Sequence, residues 1–242
     1  MSFRVWFSPF FLTRHLLRSA LRDAVRMAPA QGSLVDVGCG QKPHQDLFPG
    51  ISRYEGIDFP GFSTNKDFAT GTPDFIFPSS YTVDWVLPFA DASYDHAAAF
   101  EVIEHHPEPA VALQEMARVV RPGGFVYLSW PFIFPLHEEP YDHFRYTHYS
   151  MERLAKSAGL ETVGFWRTGG LVAVLVTLAN GGLAFLHDRG GWRKLAALSV
   201  YPVFLLLQYA AIPFAHIGRE SVLSYVAVFR KLPVTEARIS CS

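Results

Sequence analysis

LVDVGCGQKPH, residues 34–44, is the stretch on which the fold turns. An apolar run of strand length stops at Gly38-Cys39-Gly40. Glycines there let the backbone approach a ligand closely at the carboxyl end of the strand, where open α/β sheets keep their nucleotide crevice. A dinucleotide fingerprint would want a small third residue at position 43, where Pro43 stands, and Asp36 lies before the glycines instead of after them. The nicotinamide reading weakens accordingly. Eighteen residues beyond Gly40, YEGIDF ends a second strand on Asp58, whose carboxylate can accept from both hydroxyls of a ribose.

Outward from this stretch, short apolar runs alternate with helix-like segments: SLVDV at 33, RYEGI at 53, DHAAAF at 95, FVYLS at 125, ETVGFW at 161 and SYVAVF at 224. That alternation predicts a mostly parallel sheet with helices on both faces. Between Pro107 and Val120, Leu113, Met116, Ala117 and Val120 recur at helical spacing, and Arg121-Pro122-Gly123-Gly124 ends the helix and turns into the next strand. The chain of 242 residues carries 21 Lys+Arg against 22 Asp+Glu, so it lacks the basic excess of a general nucleic-acid binder. Half the residues are apolar and the mean hydropathy is +0.14, which excludes disorder and suggests membrane contact. Cys39 and Cys241 make neither a disulfide framework nor a four-cysteine zinc site, and a reducing, intracellular setting follows as the default.

With LPFADASYD at 87–95 and EVIEHHPEPAVALQEMARVVRPGGFVYLSWPF at 101–132, the chain resembles a class I S-adenosylmethionine-dependent methyltransferase of the type 11 kind over about residues 32–166. The resemblance implies a Rossmann-like seven-stranded sheet and S-adenosyl-L-methionine as methyl donor. It places Asp36, Gly38, Cys39 and Gly40 beside the methionine and ribose, Asp58 on the ribose hydroxyls, and Asp84 nearest the adenine amino group. Lys42 stands where the family's third loop glycine is usual. Glu101 falls where the fourth strand should end, facing the donor methyl, with a hydrogen-bonded loop carboxylate as its plainer role. His105 in EVIEHH is either a structural histidine or a group that touches the chemistry.

The segment PLHEEPYDHFRYTHYS, 135–150, follows the fifth strand and so overhangs the same crevice. Its density of titratable side chains fits acceptor recognition, and His137 is the first candidate for general base, because an imidazole titrating near neutrality can take an acceptor's proton. Its three histidines match no compact ligand spacing, so no metal is expected. The segment also resembles an HE-x-P-x-D-x-FRYT stretch of methyltransferases associated with cell-surface glycan and lipid biosynthesis.

Two further features concern membranes. Ala28-Pro29-Ala30 mimics a signal-peptide cleavage site, but Arg14, His15, Arg18 and Arg22 interrupt any apolar core before it. Arg14, Arg18, Arg22 and Arg26 instead stripe one helical face, which would meet an anionic membrane together with Trp6, Phe7, Phe10 and Phe11, or form the solvated side of a helix packed on the domain. From Thr168 to His187 and from Leu195 to Gly218 there is no Asp, Glu, Lys or Arg. A helical hairpin long enough for a bilayer core results, but Arg189, Arg193 and Lys194 in its connection oppose export across the membrane, so a monotopic hairpin is the better fit. A cap over the domain or a dimer interface is the other use of such an insert.

The organisation expected is an amphipathic helical region at 1–30, a methyltransferase core at 31–168, a hydrophobic helical insertion at 169–220, the last core strand at 221–232 and a tail at 233–242. The expected function is O-methylation of a lipid-linked or cell-envelope glycan intermediate by a cytoplasmic protein at the inner face of the membrane. A small-molecule or natural-product methyltransferase with an apolar lid, and a non-catalytic membrane-associated Rossmann-like module, are the alternatives. Acceptor identity and oligomeric state are left open.

Overall fold

The computed structural model describes residues 8–59, 71–77 and 85–233. Its centre is a seven-stranded sheet in the order β3-β2-β1-β4-β5-β7-β6, formed by β1 (Gly32–Val37), β2 (Ile51–Asp58), β3 (Phe75–Ile76), β4 (His96–Phe100), β5 (Phe125–Pro131), β6 (Leu160–Thr168) and β7 (Ser224–Lys231). The six strands expected from apolar runs are present. β3 has two residues, both exposed, and is too short to show a period. Only β7 runs against its neighbours, pairing antiparallel with β5 and β6. β6 therefore ends, and β7 begins, at the edge where β1, β2, β4 and β5 also end.

Strand β1 is buried on both faces, and alternation sends its side chains to two cores. Val35 and Val37 join Leu113, Met116 and Ala117 of helix α2 (Pro109–Val119) and Met151 and Ala155 of α3 (His148–Ser157). Leu34 points the other way, to Leu17, Leu21 and Ala24 of α1 (Phe11–Met27).

Helix α1 thus covers one face of the sheet with its apolar stripe. Phe11, expected at a membrane, is buried against Tyr209, and Phe10 packs on Phe134. Of the arginine stripe, Arg18 is spent on Asp46 and on the Pro43 carbonyl at 3.0 Å, while Arg22 and Arg26 are exposed. This is the packed-helix alternative; Trp6 and Phe7 lie outside the described residues.

The insertion forms α4 (Leu171–Asp188) and α5 (Gly191–Ala211), a hairpin that leaves and rejoins the sheet at its carboxyl edge. Ala173, Val174, Ala211 and Ala215 fasten it to Leu12 and Leu16 of α1. Phe10 offers α1 no side-chain cap. Gln208 of α5 supplies one across the chain, accepting from Leu12 N at 3.1 Å and donating to Ser8 O at 3.3 Å. Thr13 and Thr177 hydroxyls pair at 3.0 Å beside it.

Candidate active site

The chemistry-bearing side chains gather at the carboxyl edge of the sheet. After β1 the chain turns through Gly38 and Gly40, with φ of 68° and 50°. A Cβ on Gly38 would lie 2.4 Å from a Val102 methyl, so only glycine lets the loop pass the end of β4 so closely. Gly38 N donates to Ile57 O at 2.8 Å and Cys39 N to the same oxygen at 3.3 Å, which ties the loop to β2. Asp58, at the end of β2, accepts from Gly40 N at 2.5 Å and from Phe59 N at 2.7 Å. Burial raises its pKa, and these two amides oppose the rise.

Asp36 is 2% exposed and accepts from the Tyr54 hydroxyl at 2.6 Å. Burial, with Asp58's charge adding to it, pushes its carboxyl up to about 7. Asp36, Gly38, Gly40 and Asp58 therefore lie together at the ends of β1 and β2. The Cys39 thiol is buried beside Gly56 and donates to the Gly40 carbonyl at 3.5 Å, and burial raises its pKa. Asp84 lies outside the described residues.

At the position of the missing third glycine, Lys42 itself adopts a left-handed φ of 55°. It is buried, and its Nζ lies 2.5 Å from Asp74 Oδ2, an oxygen that also accepts from Gly56 N at 2.7 Å. The strained backbone, costing about 1–2 kcal/mol, is exchanged for an ion pair that pins the loop to the start of β3.

The other wall is built from two loops. Glu101 follows β4 with a φ of 55°, and its N–H donates to Ser129 O at 3.0 Å. Burial and the Glu104 charge push its carboxyl up to about 8. A 3-10 turn, Ile103–His105, then carries Glu104 and His105 inward. The loop after β5 brings His137, whose ring stands 4.8 Å from that of His105 at 78°. His137 Nδ1 is 3.2 Å from Asp142 Oδ2, and Asp142 is held in turn by Arg145.

Burial opposes protonation of His137, but Glu104 and Asp142 outweigh it and raise its pKa. The imidazolium form is therefore favoured more than sequence reasoning expected of a base. His137, His105 and Glu101 do come together, and Glu138 faces Asp58 closely enough for its charge to raise that pKa, so both walls address one crevice. Sequence reasoning missed Glu104, which is fully buried with neither carboxylate oxygen hydrogen-bonded among the described residues. Its only signal was a carboxylate set between the apolar Val102-Ile103 pair and two histidines.

Residues 35–128 match the family described as Methyltransferase domain. The chain is 35% identical over 109 residues to a ubiquinone biosynthesis O-methyltransferase of Paracidovorax citrulli, covering 43% of this chain and 45% of that protein. It is 34% identical over 177 residues to an uncharacterized methyltransferase of Mycolicibacterium paratuberculosis, covering 70% and 64% respectively. It is similar in fold, at a TM-score of 0.54, 19% identity and 96% coverage of both chains, to a chain from a solved complex of the Haloferax volcanii Trm112 methyltransferase activator with a candidate methyltransferase. The matched region spans less than half the length of the first curated relatives.

Proposed function

We propose, for a chain that carries a class I S-adenosylmethionine-dependent methyltransferase domain, that it transfers the methyl group of S-adenosylmethionine to an oxygen of an acceptor presented at a membrane surface. Asp36, the Gly38–Gly40 loop and Asp58 hold the donor, and the wall of Glu101, Glu104, His105 and His137 receives the acceptor. The sulfonium is already activated, so the protein mainly aligns the acceptor oxygen, methyl carbon and sulfur and disposes of one proton. Oxygen as the accepting atom is favoured by the relatives' names, which include O-methyltransferases from bacteria and fungi.

One observation carries the membrane part. A Cβ on Gly181 of α4 would lie 3.1 Å from Pro135 Cγ, so the apolar hairpin abuts the loop that bears His137. The outer side of the hairpin is greasy: Trp192, Leu195 and Leu206 are each more than two-thirds exposed. The segment Gly191–Phe214 is long and apolar enough to cross a membrane by length and composition, with Pro202 inside its helix. A hairpin lying in the bilayer surface would set the His137 loop at the headgroup level, where a lipid-linked or cell-envelope glycan intermediate offers its hydroxyls. The HE-x-P-x-D-x-FRYT stretch supports the same substrate class.

The experiment is incubation with methyl-tritiated donor, phosphatidylglycerol vesicles and an envelope-lipid extract, followed by phase partition. Label in the organic phase and co-sedimentation with the vesicles are expected. Label confined to water-soluble acceptors, with the protein left in the supernatant, would move the apolar hairpin to the role of a lid over a small molecule.

A further inference from the structure

The buried group that the methyl-transfer reading leaves least explained is Glu104. It is 0% exposed, and both its oxygens are without a hydrogen bond among the described residues. A buried carboxylate left in that state costs several kcal/mol unless a cation or proton compensates it. Two imidazoles face it. His105 Nε2 lies 3.6 Å and His137 Nε2 3.8 Å from the same atom, Glu104 Oε1.

These separations are too long for hydrogen bonds and suit ligands that share a metal. Two atoms each about 2.0–2.1 Å from a tetrahedral zinc ion sit about 3.4 Å apart. One ligand atom from each of Glu104, His105 and His137 lies within 4.8 Å of the others.

The far sides of both rings are arranged as metal-bound histidines require. His105 Nδ1 lies 3.1 Å from the Tyr141 carbonyl, and His137 Nδ1 lies 3.2 Å from the Pro135 carbonyl and 3.2 Å from Asp142 Oδ2. These partners can only accept, so they place a proton on each Nδ1 and turn each Nε2 toward Glu104. The Glu104 backbone is fixed as well, its carbonyl accepting from His143 N at 3.0 Å and Phe144 N at 3.2 Å.

We infer that Glu104, His105 and His137 form a binding site for a divalent transition cation of the zinc type. Two imidazole nitrogens and one carboxylate leave a fourth position for water or substrate, the ligand count of catalytic sites and not of closed structural ones. Sequence spacing hid the set, because Glu104 and His105 come from the turn after β4 and His137 from the loop after β5.

The catalytic consequence rests on the methyl-transfer reading. An acceptor hydroxyl at the open position would lose its proton to Glu138, whose Oε2 stands 3.7 Å from His105 Nε2. The resulting oxygen anion attacks the donor methyl carbon. The O–C bond forms as the C–S bond breaks, and its electron pair remains on sulfur as a neutral thioether.

The test uses the full chain, untagged and stripped of metal, dialysed against Co2+ and then Zn2+ and followed by absorption and elemental analysis. Uptake of one Co2+ per chain, displaced by Zn2+, is expected. His105→Ala and the more exposed His137→Ala should each weaken it at least about 100-fold. A folded wild-type protein that takes up neither ion, or a folded His137→Ala protein with undiminished affinity, overturns the site. Titrating S-adenosylmethionine into the same metal-free sample separates the two readings. Donor binding without cation uptake removes the metal site alone, whereas cation uptake without donor binding upholds the site and removes the methyl-transfer reading.

Discussion

On the proposed donor wall of the crevice Asp58 accepts from two backbone amides, Asp36 from Tyr54, and Lys42 is clamped on Asp74, whereas on the proposed acceptor wall Glu104 is buried just as deeply and its carboxylate accepts from no described residue. On the first wall the described polar side chains find their partners within the chain. The acceptor wall holds concentrated charge in an unfinished state, with Glu101 and His137 both displaced from their ordinary titration ranges. Perturbed groups of this kind concentrate at functional sites.

If the walls divide the work in this way, Glu104→Gln should have the largest effect, lowering turnover about 100-fold or more while donor affinity stays within about threefold. Single-turnover rates and calorimetry on the same protein check it, and an equal loss of both would break the division. Gly38→Ala should come next. Its methyl collides with Val102 and its φ is left-handed, so unfolding in urea should show a loss of about 2–4 kcal/mol, with donor binding lost as the loop is pushed aside. Asp58→Ala should cost about 1–3 kcal/mol in donor binding and spare cation uptake on the opposite wall.

The smallest expected effect is that of Tyr54→Phe, about 1 kcal/mol of stability. It carries a pH signature. The folded-state pKa of Asp36, about 7, lies above the ordinary aspartate value of 3.8, so the folded protein holds this proton longer. The associated stability is fully present below about pH 4 and is lost as pH rises toward 7. Removing the Tyr54 hydroxyl raises that pKa further and should shift the decline to higher pH, and Asp36→Asn should flatten it. Urea midpoints measured from pH 4 to 8 distinguish the three proteins.

The two walls also differ in how far they could be read from sequence. Asp36, Gly38 and Gly40 sit within one motif, and β2 delivers Asp58 to the adjacent strand end, so local spacing already encodes their meeting. Glu104 and His137 meet only because the turn after β4 and the loop after β5 fold over each other, and no periodicity records that. His137 was legible as a candidate but not its surroundings, since the flanking carboxylates that favour its charged form arrive through tertiary structure. The six longer strands were visible as apolar runs, whereas β3 is a two-residue pairing. For α1 the arginine stripe fits a membrane or a domain surface equally well. Gln208 and the contacts with the sheet show that its apolar stripe is taken up by the domain.

The most direct test of the account is a calorimetric titration of the folded full chain with S-adenosylmethionine, alongside Asp58→Ala. One donor bound per chain, with affinity falling about 10- to 100-fold in the variant, is the predicted result. No heat from a wild-type protein shown to be folded by its cooperative unfolding, at two temperatures, would contradict it.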